Sequence, residues 1–453
     1  MPSALTEGLL RVRELAYRNP KLQFTSLLHQ ATPQIFEIAF YGLRQNAAYG
    51  VDKVQWHDYE NDKHFKENLI NLRERVLNGT YKPLPVKRVY IPKQDGKSMR
   101  PLGIAAIEDK IVQNVIRIII EPLYESIFQG FSYGFRTNTG CHDALDALYV
   151  CIAYHKVNYV LDADIKGYFD SIPHGKLLSL INIRIGDPRI LNLIKKWLNC
   201  GVLEKELVTY GKTGTVQGAV ISSLLANIYL HYVLDEWVVE WRRIHARGEV
   251  YIVRYADDFI VAFQYKDDAT KFWTELEQRL GRYELQLQTD KSRLIEFGRF
   301  AGGHRIGQGV GPKQGVGTFD FLGFTHICSV DLKGKFKLLR KTIGKRLSKK
   351  IQEYKGTLKC VMHMPLDTIL KWLNRSLIGY YNYYAIHDNL DTLCQLRYFI
   401  ICDLGKVLMR RSQKAKKTVN WDYVFDKIAP LIPFPKIVHD YPIVRFRQKW
   451  QRV

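Results

Sequence analysis

The 453-residue sequence has seven cysteines, but none of them form a C-x-x-C pair, and its 13 histidines never join them at zinc-ligand spacing. A structural zinc and a disulfide framework are therefore not expected, which fits a reducing compartment. Long apolar runs are missing as well. The strongest, Ile116 to Ile120, is broken by Arg117 and falls far short of the roughly 20 residues that span a bilayer. The opening stretch MPSALTEGLLRVRELAYRN lacks the charged-then-apolar layout of a signal peptide. These absences predict a soluble cytoplasmic protein with no membrane partner. A dinucleotide fingerprint is absent too. Seven glycines crowd the stretch between Phe300 and Thr318 with G-x-G spacings, but no strand feeds them and no helix with the right acid follows, so the run predicts a loop.

What is present is positive charge. Lys and Arg number 67 against 45 Asp and Glu, a net +22, while 46% hydrophobic and 12% aromatic content are those of a folded chain. At roughly 100–200 residues per domain, the length suggests two to four domains. A basic excess of this size favours a polyanion, nucleic acid ahead of a membrane surface. Its placement is uneven: residues 333–453 hold 26 Lys and Arg against 8 Asp and Glu, so +18 of the total lies there. A polar catalytic body followed by a basic grip is the simplest organisation.

Residues 1–80 read as mostly helical, with polar breaks around Gln45 to Asp52. Prolines make Tyr81 to Pro85 extended. Val86 to Pro92 and Met99 to Leu102 flank a turn-like Gln94-Asp95-Gly96-Lys97, which predicts a hairpin. Glu108 to Phe128 has helical spacing. Tyr159 to Ile165 is a short apolar strand ending in acid, and Val250 to Phe263 predicts two buried strands joined at Asp257-Asp258. Leu339, Ile343, Leu347 and Ile351 recur every four residues among lysines and arginines, predicting an amphipathic helix whose basic side faces solvent or phosphates.

The chemistry concentrates on the acids. Paired carboxylates held at the tip of an apolar hairpin repel one another unless something positive joins them. With Asp164 at the end of a second apolar strand, three carboxylates on two strands can hold two Mg²⁺ ions, which prefer oxygen ligands and leave room for substrate phosphates. Two such ions can activate a 3′-hydroxyl and stabilise departing pyrophosphate.

The motifs Asp162-Ala163-Asp164-Ile165-Lys166-Gly167-Tyr168-Phe169-Asp170, Gln217-Gly218-Ala219-Val220-Ile221-Ser222, Tyr255-Ala256-Asp257-Asp258, Lys291 and Phe321-Leu322-Gly323-Phe324 stand in the order of the reverse transcriptase blocks. Arg100 to Ile104, Gly130 to Arg136 and Glu296 to Phe300 add to them. The chain resembles a bacterial group II intron reverse transcriptase, or maturase, from about residue 45 to nearly its end.

That resemblance implies an α/β right-hand polymerase: an N-terminal extension, fingers and palm with an antiparallel sheet over 1–330, a helical thumb (maturase or X region) over 331–400, and a small basic DNA-binding domain over 401–453. It implies RNA-directed DNA synthesis with two Mg²⁺, on an RNA template from a DNA primer with dNTP substrates, and binding of intron RNA. Asp164, Asp257 and Asp258 match the catalytic metal ligands, with the Ile165 carbonyl as a helper. Lys93 and Arg100 match triphosphate contacts, where Arg binds bidentately and Lys as a point charge. Phe169 matches the bulky residue under the incoming sugar, or else is a core aromatic. Gln217 matches a nucleotide contact and Lys291 a lysine near the primer end or the acids. Where the family has Pro-Gln-Gly-Gly and a proline after Ile-Ser, this sequence has Val216-Gln217-Gly218-Ala219 and Ser223. Losing proline removes a constraint on the turn and can loosen the nucleotide pocket. Tyr380, Tyr381, Tyr383 and Tyr384 either stack on bases or fill a helical core. No Cys/His-rich nuclease module follows the tail, so the form lacking the endonuclease is expected. A splicing cofactor whose polymerase is secondary, and a host-adapted defence or repair reverse transcriptase without an intron, are the alternative readings.

Overall fold

The computed structural model describes residues 6–92, 99–205, 207–301 and 317–450. Lys93, the turn at Gln94 to Lys97 and most of the glycine run lie outside the described residues. The chain forms two compact units. One comprises Met1–Ala144, Leu161–Val261 and Asp267–Arg293, the other Leu145–Val160, Ala262–Lys266 and Leu294–Val453.

The first unit opens with helices Glu7–Arg18, Pro33–Tyr41, Trp56–Glu60 and Phe65–Leu77. The first two are capped by threonines: Thr6 accepts from the Leu9 amide and Thr32 from the Ile35 amide. The helix Ile107–Glu125 buries Ile111, Val112, Val115, Ile116, Ile119 and Ile120 completely. Such a helix, apolar on most of its surface, belongs at the centre of a core.

Eleven strands are described: β1 Val86–Pro92, β2 Met99–Ile104, β3 Tyr159–Asp164, β4 Val202–Glu204, β5 Leu207–Thr209, β6 Val250–Tyr255, β7 Asp258–Phe263, β8 Arg293–Glu296, β9 Phe319–Phe321, β10 Phe324–Val330 and β11 Phe336–Thr342. They make three sheets, ordered β2-β1-β4-β5, β6-β7-β3-β8 and β11-β10-β9. The chain is mixed α/β: β1–β2, β4–β5, β9–β10 and β10–β11 pair antiparallel, and β1 pairs parallel with β4. β1 and β2 form the expected hairpin, with Ile91 opposite Arg100 and Pro92 opposite Met99. In the second sheet β7 and β3 are neighbours. Val160, Leu161 and Ala163 of β3 and Phe259 to Phe263 of β7 are all buried, the continuous apolar run of a strand covered on both faces.

In the second unit, Leu339 lies on β11 and not on a helix; the helix runs Gly344–Cys360. Phe336 to Thr342 pair residue for residue with Val330 to Phe324, and Leu338, Arg340 and Thr342 face inward with the period of two that a strand imposes. The four-residue spacing from Leu339 to Ile343 is thus overruled by seven paired positions, and Ile343 is extended at the helix start (φ −54°, ψ 122°). Helices Leu366–Tyr384 and Leu390–Met409 complete this unit. Leu390–Met409 runs across residue 401, and Ile400, Ile401, Leu404 and Val407 share one core with Tyr354, Leu373, Leu377, Val424 and Ile428. Tyr381 lies inside this core, Tyr380 and Tyr384 stack against it with centroids 4.4 Å apart, and the Tyr383 hydroxyl donates to the Leu322 carbonyl. The four tyrosines are thereby engaged in packing. Among the described residues no helix is long and apolar enough to cross a membrane.

Candidate active site

The acids sit where the apolar strands end. β3 delivers Asp164, whose amide donates to Ser292 Oγ at 3.4 Å and whose carbonyl accepts from the Gln288 amide at 2.8 Å. Ile165 is buried and extends the pairing through a bridge to Leu287. Lys291 Nζ lies 3.2 Å from Asp164 Oδ2, so the lysine stands at the acids. Both groups are substantially exposed, and the pair contributes little to stability. Arg293 meets Asp162 in the same way at 3.3 Å.

β6 and β7 are joined through Ala256 and Asp257, and Ala256 adopts φ +58°, a left-handed conformation uncommon for a residue with a Cβ. Asp257 is partly buried, and burial pushes its carboxyl pKa up, with the Asp164 charge adding to the rise. Arg100 and Arg254 oppose it. Asp164 and Arg100, two of the expected site residues, thus each act electrostatically on a third, Asp257, and Lys291 joins through its contact with Asp164. Asp258 is the first residue of β7 and is also partly buried.

Phe169 lies on the short helix Tyr168–Ser171, which follows Gly167 in a left-handed conformation. It is half-buried, its carbonyl accepts from the Thr215 amide at 2.7 Å, and its ring meets Phe135 edge-on at 6.3 Å and 82°. Phe135 is 50% exposed at φ +56°. Gln217 is held beside β2, where its carbonyl accepts from the Gly103 amide at 2.7 Å. The turn around it survives the missing proline. The Ala219 amide donates to the Val216 carbonyl, and Gly218 takes φ +104°, the third-position geometry that glycine permits. A Cβ on Gly103 would come within 2.1 Å of Val216 Cγ1, so valine fills the space against β2.

Arg254, Asp235 and Asn227 carry no role in the motifs, and Phe135 stands in the Gly130 to Arg136 match without an individual one. For Arg254 a signal existed: a lone cation in the apolar run Val250-Tyr251-Ile252-Val253-Arg254-Tyr255. Nothing local marks Asp235 or Asn227.

The profile described as reverse transcriptase (RNA-dependent DNA polymerase) matches residues 91–326. The group II intron-encoded protein LtrA of Lactococcus lactis subsp. cremoris is 37% identical over 51% of this chain and 38% of its own length. The uncharacterized 91 kDa protein in cob intron of Schizosaccharomyces pombe is 30% identical over 70% of this chain and 46% of its own. Protein YkfC of Escherichia coli K12 is 34% identical over 52% of this chain and 70% of its own. The chain spans less than half the length of the first two of these relatives. The matched reverse transcriptase region, which contains both acid-bearing strands, carries the right-hand polymerase fold. The chain belongs to the reverse transcriptase family, and among the relatives it is similar to is a group II intron-encoded protein.

Such domains depend on divalent metal, and the residues present fit one. The donors are hard oxygens, and the raised Asp257 pKa marks a carboxylate whose charge a nearby cation would stabilise. Among the described residues no group of three or more His, Cys, Asp or Glu is already drawn together to hold an ion; the Asp164 charge acts on Asp257.

Proposed function

We propose that the chain is an RNA-directed DNA polymerase that extends a DNA primer on an RNA template with dNTPs. The observation that carries this reading is that Asp164, at the end of β3, and Asp257, in the turn leading into the neighbouring β7, interact electrostatically, with the Arg100 charge also acting on Asp257. In this reading the sheet β6-β7-β3-β8 is the palm and the β1–β2 hairpin belongs to the fingers. The thumb spans 331–400 and the basic DNA-binding segment 401–453. Asp164, Asp257, Asp258 and the Ile165 carbonyl hold two Mg²⁺, which when bound favour ionisation of the primer 3′-hydroxyl and neutralise the departing pyrophosphate.

The chain's own residues do the rest. Arg100 presents a planar fork to the triphosphate, with Lys93 as a second cation from the same hairpin. Phe169 lies under the sugar and excludes a 2′-hydroxyl, and Gln217 lines the nucleotide site from the Val216–Ala219 turn. Lys291 balances Asp164 and orients it toward the primer end. Intron RNA is a further partner in a maturase role; the similarity to LtrA, a group II intron-encoded protein, supports this, as does the +18 carried by residues 333–453.

Primer extension on an RNA template tests the central claim. Asp164→Asn or Asp257→Asn should lower the rate by orders of magnitude while leaving template binding nearly unchanged. Wild-type extension by either variant with Mg²⁺ as the sole divalent ion would overturn it.

A further inference from the structure

The guanidinium of Arg254 is completely buried, and its hydrogen bonds point at the site's backbone. Nε donates to Asp235 Oδ1 at 2.7 Å and Nη2 to Asp235 Oδ2 at 2.5 Å, a bidentate pair with both side chains fully buried. Nη1 donates to the Ala256 carbonyl at 2.9 Å and to Asn227 Oδ1 at 3.1 Å. Asn227, itself buried on helix Ser222–Leu230, passes the connection on: its Nδ2 donates to the Gly134 carbonyl at 2.6 Å. The backbone of Arg254 binds the same loop, accepting from the Tyr133 amide and donating to the Phe131 carbonyl. Asp235 closes a π-helical turn, His231–Asp235, a distortion often found at functional sites.

Two strained segments meet over this cluster. One is the turn with Ala256 at φ +58°, which carries Asp257; the other is the loop with Phe135 at φ +56°, whose ring abuts Phe169. They touch so closely that a Cβ on Gly134 would lie 2.2 Å from the Ala256 nitrogen. Non-glycine residues stay in the left-handed region only where their surroundings over-determine them. Here the surroundings are one cation and its two partners.

We infer that Arg254, held by Asp235 and bridged by Asn227, is a positioning peg that sets the Asp257 turn and the Phe135 loop relative to each other, and so couples metal binding to sugar discrimination. The inference rests on the proposed roles of Asp257 and Phe169. Arg254 suits this position because its planar guanidinium presents N–H donors in several fixed directions, and Asp235 supplies the opposite charge that makes its burial tolerable.

The test uses the full chain. Replacing the ion pair by apolar residues of similar volume, Arg254→Met with Asp235→Leu, commonly preserves folding. Asn227→Leu removes the bridge to Gly134 together with one of the two acceptors of Arg254 Nη1, and leaves the Asp235 pair and the Ala256 contact in place. Two readouts are taken: direct binding of Mn²⁺ alone by calorimetry, and the ratio of ribonucleotide to deoxyribonucleotide incorporated in competition. Both variants should weaken Mn²⁺ several-fold and raise the ribonucleotide share several-fold, with an unfolding temperature within a few degrees of wild type. A folded variant with wild-type Mn²⁺ affinity and wild-type sugar ratio would show the cluster to be core alone. If buried substitutions unfold the chain, Phe135→Gly decides from the surface: a raised ribonucleotide share supports the coupling, an unchanged one overturns it. Asp257→Asn serves as control. If it leaves Mn²⁺ binding intact, the metal reading fails, and the sugar ratio of Asn227→Leu still decides for or against the peg.

Discussion

Two arginines sit on strands with almost no exposure, Arg254 on β6 and Arg340 on β11, and they are built into the fold differently. Arg254 has a carboxylate to itself and uses its remaining donors on an amide oxygen and a backbone carbonyl. Arg340 shares its partner: Nη1 stands 3.6 Å from Asp146 Oδ1, Arg445 approaches the other oxygen at 3.3 Å, and the guanidinium lies over the Tyr149 ring at 4.9 Å. Its Nε has no hydrogen-bond partner among the described residues. Both sites are desolvated, but only one has its donors matched to a turn that must hold a conformation. Burial of a cation is thus a packing fact, whereas complete and directional pairing next to a strained backbone is the mark of a positioning role.

The largest difference should appear on removing the cations singly. Arg254→Met strands Asp235 in the interior and should cost about 3–5 kcal/mol. Arg340→Met leaves Asp146 with Arg445 and should cost about 1–2 kcal/mol. Urea unfolding midpoints measure both, and equal losses would erase the distinction between the two arginines.

Next in size is an acid effect confined to the second unit. His326 is fully buried, stacked on Phe319 at 4.7 Å and 2°, and burial together with the Arg340 charge lowers its pKa from 6.5 to about 3. The folded chain thus keeps the ring neutral while the unfolded chain protonates it. The stabilisation is present above pH 6.5 and is lost as pH falls toward 3, at about 1.4 kcal/mol per pH unit. His326→Phe, which keeps the stack, should flatten that part of the stability profile below pH 6.5.

A smaller effect, on selectivity, is expected at the sugar. Phe169→Ala should raise the ribonucleotide share in competition assays several-fold, about 1 kcal/mol of discrimination. An unchanged share with a lowered unfolding temperature would make Phe169 a core aromatic only. The smallest effect concerns Asp257. Its folded pKa lies above the ordinary carboxylate value, so the native state holds its proton more tightly than the unfolded state does, and ionisation costs stability as pH rises. Without divalent metal at neutral pH, Asp257→Asn should unfold slightly later than wild type, by less than about 1 kcal/mol, and the gap should close in acid. A variant less stable than wild type would show the carboxylate to be structurally favourable.

Much of the site was legible along the chain because its signals are local. Apolar runs that stop at acids announce strands ending in carboxylates, and Val86 to Pro92 with Met99 onward announces a hairpin; each depends on neighbours a few residues apart, and β1, β2, β3, β6 and β7 appear where that pattern places them. The local pattern failed at Leu339, where strand pairing with Ile327 outweighed a helical spacing, because seven cross-strand partners supply more than one favourable i+4 contact. What the sequence determined alone is the polymerase motif order, the basic tail, the strand that ends in Asp164 and the hairpin whose turn carries Asp257. Only the tertiary structure decided that Arg100 reaches Asp257, that the tyrosines of Leu366–Tyr384 are spent on packing, and that Arg254 is anchored by Asp235 and Asn227, 19 and 27 residues away. Those partners converge because burying a charge is tolerable only where the fold gathers enough polar groups around it, and no local pattern encodes which distant residues will arrive.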